Sequence, residues 1–249
     1  MILNDIIACF ERIYIMKKRI VSTVIIVICL LVFLFFGYTG NYYRTTDKNA
    51  LKSTPDVSVS ETDYGYFFDG PSEDKCLIFY PGGLVEDTAY SALLKIIAAK
   101  GYDCALVNMP FNLAVFNSSA AENVRKEYSY SDYYLGGHSL GGAMAADYAA
   151  SHSEEYKGLL LLAAFPTKDL SESSLNVLSI YGSSDHVLEL QKFKEARTLM
   201  PQSYTEKMIK GGNHDHFGNY GHQKGDRKAS ITNEMQQKET ADLISEVFH

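Results

Sequence analysis

The sequence lacks a basic excess, a visible repeat and any cysteine pair with the spacing of a zinc site. Its 249 residues include 23 Lys and Arg against 30 Asp and Glu, a net charge of −7 at pH 7. Because phosphate binding requires a basic face, nucleic acid is excluded as the main partner. The four cysteines are Cys9, Cys29, Cys76 and Cys104. Cys76 and Cys104 open two apolar strands and are predicted to be free thiols there, with a disulfide as the less favoured alternative.

The longest hydrophobic run lies near the N-terminus. Ile20–Phe36 contains 17 uncharged residues directly after Lys17, Lys18 and Arg19. This length is at the lower limit for a membrane-spanning helix, and basic residues tend to stay on the cytoplasmic side. The pattern predicts a short cytoplasmic segment over 1–19 and a single-pass anchor over 20–38.

Cleavage of this segment is the alternative, and it would release a secreted form. A signal peptide usually ends in small residues in an A-x-A-like pattern, whereas "FFGYTGNYY" follows the run here. We therefore expect an uncleaved anchor in the cell membrane, with the rest of the chain outside the cytoplasm.

Two further segments follow the anchor. Residues 39–56 are polar and show no periodicity, which predicts a tether. From 57 to 249, apolar strand patterns alternate with helical patterns after an initial hairpin. This alternation predicts the α/β class, a mostly parallel doubly wound sheet with helices on both faces. In such sheets, functional residues collect at the carboxyl ends of the strands.

The segment "GGHSLGG" holds the candidate nucleophile, Ser139. It joins a predicted strand to a predicted helix and contains the pattern G-x-S-x-G. In so tight a turn, side chains at positions 137 and 141 would clash with neighbouring backbone, and glycine at both positions avoids this. The pattern predicts a nucleophilic serine, with an ordinary glycine-rich turn as the alternative.

A serine nucleophile requires amide donors for the oxyanion and a carboxylate that orients the base. The N–H of Leu140 is one predicted donor, and the loop "YPGGLV" offers Gly83 or Leu84 as the other. Asp185, in "LSIYGSSDHV", stands at a predicted strand end and is the candidate carboxylate. It could instead cap a helix that begins near Val187, since Asp is a favoured N-cap.

The base is expected in the loop after the last strand, which begins "KGGNHDHFGNYG". Chain order places a histidine after Ser139 and Asp185, and the loop offers His214, His216 and His222. Asp215 is not the expected partner of either neighbouring ring, because adjacent residues rarely fold back onto each other.

The His-Asp-His cluster also resembles a set of metal ligands. A metal would need a third or fourth ligand, for which His138 and His186 are candidates only by their expected proximity, and real sites usually show a more complete set. The sequence therefore predicts neither a metal nor another cofactor.

The segments "FYPGG", "GGHSLGG", "YGSSD" and "GGNH", in this order, resemble the alpha/beta-hydrolase superfamily. The resemblance covers residues 57–249 and is strongest to small single-domain bacterial members related to dienelactone hydrolases. It implies that the first histidine of the last loop, His214, is the general base and that His216 is not. It also implies that "MPFNLAVF" lies near the site. Dienelactone hydrolases have cysteine at the position of Ser139, so lactone specificity is not implied.

The expected function follows from these parts. Only Thr167–Ser174 lies between two predicted strands where larger relatives carry a lid, so an open site for small or surface-presented esters is predicted. The chain is expected to be a membrane-anchored extracytoplasmic serine hydrolase of carboxylic esters. The alternatives are a peptidase or acyltransferase with the same triad, or a non-catalytic binding module on this scaffold.

Overall fold

The computed structural model describes residues 2–71 and 74–248, with side chains from Tyr14 onward. Met1, where the predicted cytoplasmic segment begins, and His249, where the predicted α/β domain ends, lie outside the described residues. The chain divides into two compact units between Asn41 and Tyr42.

The first unit is the helix α1, Ile2–Thr39. Its part Tyr14–Thr39 has 26 residues and a mean hydropathy of 3.1. This length and composition suffice to cross a membrane, and a signal sequence near the N-terminus meets the same description. The length and composition of the helix therefore suit either a membrane anchor or a signal sequence.

The second unit begins earlier than the sequence predicts. Residues 42–56 belong to it rather than forming part of a free tether over 39–56. The amide of Tyr43 donates to the carbonyl of Leu84 at 2.8 Å, and its carbonyl accepts from the amide of Glu86 at 2.8 Å. A polar segment without periodicity hides such pairing, because its partners are distant in the chain.

The second unit contains an eight-stranded sheet with helices between the strands. The strands are β1 (Ser58–Thr62), β2 (Gly65–Asp69), β3 (Lys75–Tyr80), β4 (Asp103–Val107), β5 (Asp132–His138), β6 (Gly158–Leu162), β7 (Asn176–Gly182) and β8 (Tyr204–Ile209). The helices are α2 (Ser91–Ala98), α3 (Ala121–Glu127), α4 (Leu140–Ala149), α5 (Leu190–Glu195) and α6 (Asn233–Val247).

The strand order is β1-β2-β4-β3-β5-β6-β7-β8. The pairs β1/β2 and β2/β4 are antiparallel, and the other neighbouring pairs are parallel. This confirms the predicted mostly parallel sheet with a hairpin at its edge. Because β3 and β5 to β8 run in one direction, their carboxyl ends meet at one edge, where the predicted site residues follow them.

Buried side chains form a core on each face of the sheet. One contains Leu93 and Ile97 of α2 with Ile244 of α6, and the other contains Val124 of α3 with Ala146 of α4. The central strands are buried on both faces, which accounts for their continuous apolar sequences. Both cores therefore pack against the strands whose ends carry the candidate site, one on each face of the sheet.

Candidate active site

Ser139 lies at the turn from β5 to α4, with φ 52° and ψ −122°. A positive φ is sterically unfavourable for a residue with a Cβ atom. The surrounding structure must therefore hold Ser139 in this conformation. A Cβ atom added at Gly137 would lie 2.6 Å from the carbonyl oxygen of Tyr80. One added at Gly141 would lie 2.2 Å from that of Pro81. The tight turn therefore requires both glycines, for the steric reason that the sequence indicates.

His214 follows β8 and Asp185 follows β7, and the two side chains form a buried pair. The Nδ1 atom of His214 donates to Oδ2 of Asp185 at 2.9 Å, with only 1% and 3% of the two residues exposed. Since Asp185 accepts the hydrogen bond from Nδ1–H, Nε2 is the nitrogen left for proton exchange. In the described part of the chain, Nε2 has no hydrogen-bond partner. His214 and Ser139 line the same cavity, which has a volume of about 270 Å³.

The second oxygen of Asp185 is also occupied. Oδ1 accepts the amides of Val187 at 2.9 Å and Leu188 at 2.8 Å. The next helix begins at Leu190, with Glu189 at its N-cap position. Asp185 thus makes the amide bonds expected of the predicted cap, although the helix itself begins only at Leu190. The carboxylate closes a turn with one oxygen and orients His214 with the other.

The amides that could bind an oxyanion lie in two segments. The amide of Leu84 donates to the carbonyl of Asn112 at 2.8 Å, so the fold itself uses this candidate donor. Among the described residues, no acceptor is bonded to the amide of Gly83 or of Leu140. A Cβ atom on Gly83 would lie 2.8 Å from Cδ2 of Leu140, so the two segments adjoin.

A buried hydrogen-bond chain, which no sequence motif indicates, connects these segments. The amide of Gly82 donates to the hydroxyl of Tyr90 at 3.0 Å, and this hydroxyl lies 2.8 Å from Nδ1 of His138. Burial lowers the pKa of His138 well below its ordinary value, and the neighbouring His214 lowers it further. Because the Tyr90 hydroxyl already accepts from Gly82, it donates its hydrogen bond to Nδ1 of the neutral His138 ring. The chain thus ties the glycine-rich loop to the serine turn.

The other residues of the His-Asp-His cluster form a separate group. Oδ2 of Asp215 accepts from Nδ1 of His222 at 3.1 Å. The Nε2 atom of His216 lies 3.6 Å from Oδ1 of Asp215, beyond hydrogen-bond distance. Asp215 therefore bonds His222 and leaves His214 to Asp185. In the part of the chain with described side chains, no three His, Cys, Asp or Glu residues are arranged to hold a metal ion.

The connection from β6 to β7 runs over residues 163–175, all of which the structure describes. It contains no helix, so no lid is inserted there. Residues Ala163, Ala164 and Phe165 line the cavity of Ser139.

A serine on a strand-to-helix turn of such a sheet is the arrangement of alpha/beta hydrolases. The model of the alpha/beta hydrolase family matches residues 76–238, more than half of the chain, and this protein belongs to that family. Comparison with curated proteins gives no match.

Solved structures show the same fold. A predicted CIB-like hydrolase from Thermoplasma acidophilum has a TM-score of 0.55 at 15% identity and covers 76% of this chain and 99% of its own. Est1E from Butyrivibrio proteoclasticus has a TM-score of 0.56 at 14% identity and covers 78% and 99%. A second structure, described as ferulic acid bound to Est1E, has a TM-score of 0.55 at 13% identity and covers 78% and 95%.

Proposed function

We propose that this alpha/beta hydrolase is a serine hydrolase that cleaves carboxylic esters through an acyl-enzyme. Ser139 is the nucleophile, His214 the general base and Asp185 the orienting carboxylate. One observation carries the proposal. The buried His214–Asp185 pair leaves Nε2 without a partner, and its imidazole lines the same cavity as Ser139.

Each residue of the triad has one role in the reaction. The hydroxyl of Ser139 attacks the ester carbonyl while Nε2 of His214 takes its proton and then delivers it to the leaving alkoxide. Asp185 holds the required tautomer and stabilises the imidazolium. The amides of Leu140 and Gly83 stabilise the oxyanion, since both lack an acceptor in the described fold. Water then releases the acid by the same steps.

The cavity supports a small acyl group. Its volume is about 270 Å³, near the lower end for ligand pockets, and its apolar lining includes Ala143, Phe165 and Val187. The absence of a helix in the described residues 163–175 leaves the site open to small or surface-presented esters. A neighbour with bound ferulic acid is consistent with a small-molecule substrate.

In this proposal, the helical segment Tyr14–Thr39 spans the cell membrane, and the hydrolase domain lies outside the cytoplasm. Its length and hydropathy support a membrane span, and the basic Lys17, Lys18 and Arg19 support a cytoplasmic N-terminus.

Labelling and turnover test the proposed triad. The wild type should be labelled by a fluorophosphonate and should hydrolyse p-nitrophenyl acetate. Ser139→Ala should not be labelled, and its kcat should be lower by about 10⁵-fold. His214→Ala should lose a similar factor, because the serine then has no base. The exposed Ser151→Ala serves as the control and should keep both activities.

Three outcomes would contradict parts of this proposal. Undiminished labelling of Ser139→Ala would exclude this nucleophile. Cleavage of amides in preference to short esters would favour a peptidase. Ligand binding that survives His214→Ala without any turnover by the wild type would favour a binding module.

A further inference from the structure

Asp226 is a buried carboxylate outside the triad, and four backbone amides donate to it. Its Oδ1 atom accepts from His186 at 2.9 Å and from Arg227 at 2.9 Å. Its Oδ2 atom accepts from His214 at 2.8 Å and from Asp215 at 3.1 Å. Only 9% of Asp226 is exposed. A carboxylate has about four lone-pair directions, so these bonds use its full acceptor capacity.

The four amides come from the two loops that carry Asp185 and His214, and the loop after β8 holds Asp226 itself as well as His214, Asp215 and Arg227. His186 directly follows Asp185 in the loop after β7, and His214 lies in the loop after β8. Asp226 thus bonds the backbone on both sides of the His214–Asp185 hydrogen bond. Hydrogen bonds to a charged acceptor are stronger than neutral ones, which suits a residue that must hold two loops.

Other bonds hold the same loops at different places. The amide of Ser184 donates to the carbonyl of Gly212 at 2.8 Å, close to the strand ends. Gln236 of α6 bonds the amide and carbonyl of Asn213 at 3.0 and 2.8 Å, so it fixes the histidine loop alone. Asp226 joins the two loops beside the catalytic side chains themselves.

We propose that Asp226 is a positioning residue, whose carboxylate holds the loops of Asp185 and His214 in register and so aims Nε2 of His214 at Ser139. This inference rests on the proposed function. Asp226 touches no reacting atom and acts through the two backbone segments it bonds.

Asp226→Asn is the most direct variant, because it keeps the size and replaces one carboxylate oxygen with an amide NH₂ group, which donates instead of accepting. Two of the four amides then face a donor, and the loop that carries them shifts. Since a misplacement of about 1 Å costs on the order of 10²-fold in rate, kcat should fall about 30- to 100-fold. KM should stay within about threefold, because Asp226 does not line the cavity of Ser139.

Turnover, labelling rate, thermal stability and amide hydrogen exchange are measured on the full chain in detergent. The amides of His186 and His214 should exchange faster in Asp226→Asn, and the rate of fluorophosphonate labelling should fall together with kcat. Asp169→Asn is the matched control, since Asp169 also accepts a backbone amide, that of Ser171 at 2.9 Å, but in an exposed turn. It should leave all four readouts unchanged.

A folded Asp226→Asn with kcat within threefold of the wild type would overturn the proposal. Unchanged exchange at both amides despite a lower kcat would also overturn it. Should Asp226→Asn fail to fold, Asp226→Glu keeps both acceptors one methylene further out and should fold with kcat at least about fivefold lower. Wild-type kcat in Asp226→Glu would then refute the role. Absence of ester turnover and labelling in the wild type would refute the proposed function instead. The exchange measurement would still test whether Asp226 holds the two loops.

Discussion

Two buried histidines lie side by side at the candidate site, and their hydrogen-bond partners differ. The rings of His138 and His214 have centroids 4.5 Å apart. His138 faces a hydroxyl, that of Tyr90, whereas His214 faces the carboxylate of Asp185. A carboxylate stabilises an imidazolium and a hydroxyl does so far less, so the partner of His214 is the one that favours proton transfer to its ring. In the proposed reaction the proton therefore goes to His214.

The pH dependence of stability tests the neutral state of His138. Its pKa is lowered well below 6.5 in the folded protein, so only the unfolded chain takes up this proton as the pH falls below about 6.5. The unfolded state then binds more protons, and the free energy of unfolding decreases with decreasing pH. Replacement by His138→Gln should flatten this decrease by up to about 1.4 kcal/mol per pH unit between pH 6.5 and 5.

Denaturant unfolding of both proteins at pH 7, 6 and 5 measures this difference. The exposed His222→Gln is a control and should keep the wild-type slope or change it far less. Equal slopes for the wild type and His138→Gln would show that His138 titrates normally in the folded protein.

At the scale of elements, the predicted alternation of strands and helices after an initial hairpin is confirmed. The run "KCLIFY" is β3 and ends before Pro81, and "NVLSIYG" is β7. The connection after β7 contains α5 and then a short 3-10 turn, Ala196–Leu199, instead of one longer helix. The last helix begins where Thr232 caps it by accepting the amide of Met235 at 3.2 Å.

The register of β3 against β4 decides the state of two cysteines. Leu77 pairs with Cys104, so Cys76 and Cys104 point to opposite faces of the sheet and lie in different cores. Burial raises the pKa of both thiols. Opposite side-chain directions prevent a disulfide between them, which agrees with the prediction of free thiols.

Thiol reactivity tests this arrangement. In a chain with Cys9→Ser and Cys29→Ser, the remaining two thiols should not react with a charged disulfide reagent under native conditions, because thiolate formation and access are both suppressed. Both should react after unfolding in denaturant. Rapid reaction in the native state, or a lack of free thiol after unfolding, would contradict the register.

At the scale of the whole molecule, residues 42–56 are part of the folded hydrolase domain. Tyr43 bonds Leu84 and Glu86 through its backbone, and its ring lies 5.7 Å from that of Tyr220. Leu84 directly follows Gly83, one of the proposed oxyanion donors. This segment therefore supports a loop of the candidate site.

Truncation tests the domain boundary. Removal of residues 1–41 should leave the melting temperature of the domain unchanged. Removal of residues 1–56 should lower it by about 5–10 °C, since several hydrogen bonds and ring contacts worth roughly 2–3 kcal/mol are lost. Equal melting temperatures for the two truncated chains would restore the boundary at residue 57.

The sequence by itself determined the order of strands and helices, the tight serine turn and the hydrophobic run that forms α1. Each follows from residues that are close together in the chain, where apolar periodicity and glycine sterics act. The resemblance to a family singled out His214 among three histidines of one loop.

Only the tertiary structure decided which backbone and side-chain groups meet. In the tertiary structure, the amide of Leu84 donates to the carbonyl of Asn112, and the hydroxyl of Tyr90 bonds His138. Asp226 accepts amides from the loops of Asp185 and His214. These partners lie in loops that have no periodicity, and most are many residues apart. Their pairing depends on how the strand ends converge at one edge of the sheet, which no local pattern encodes.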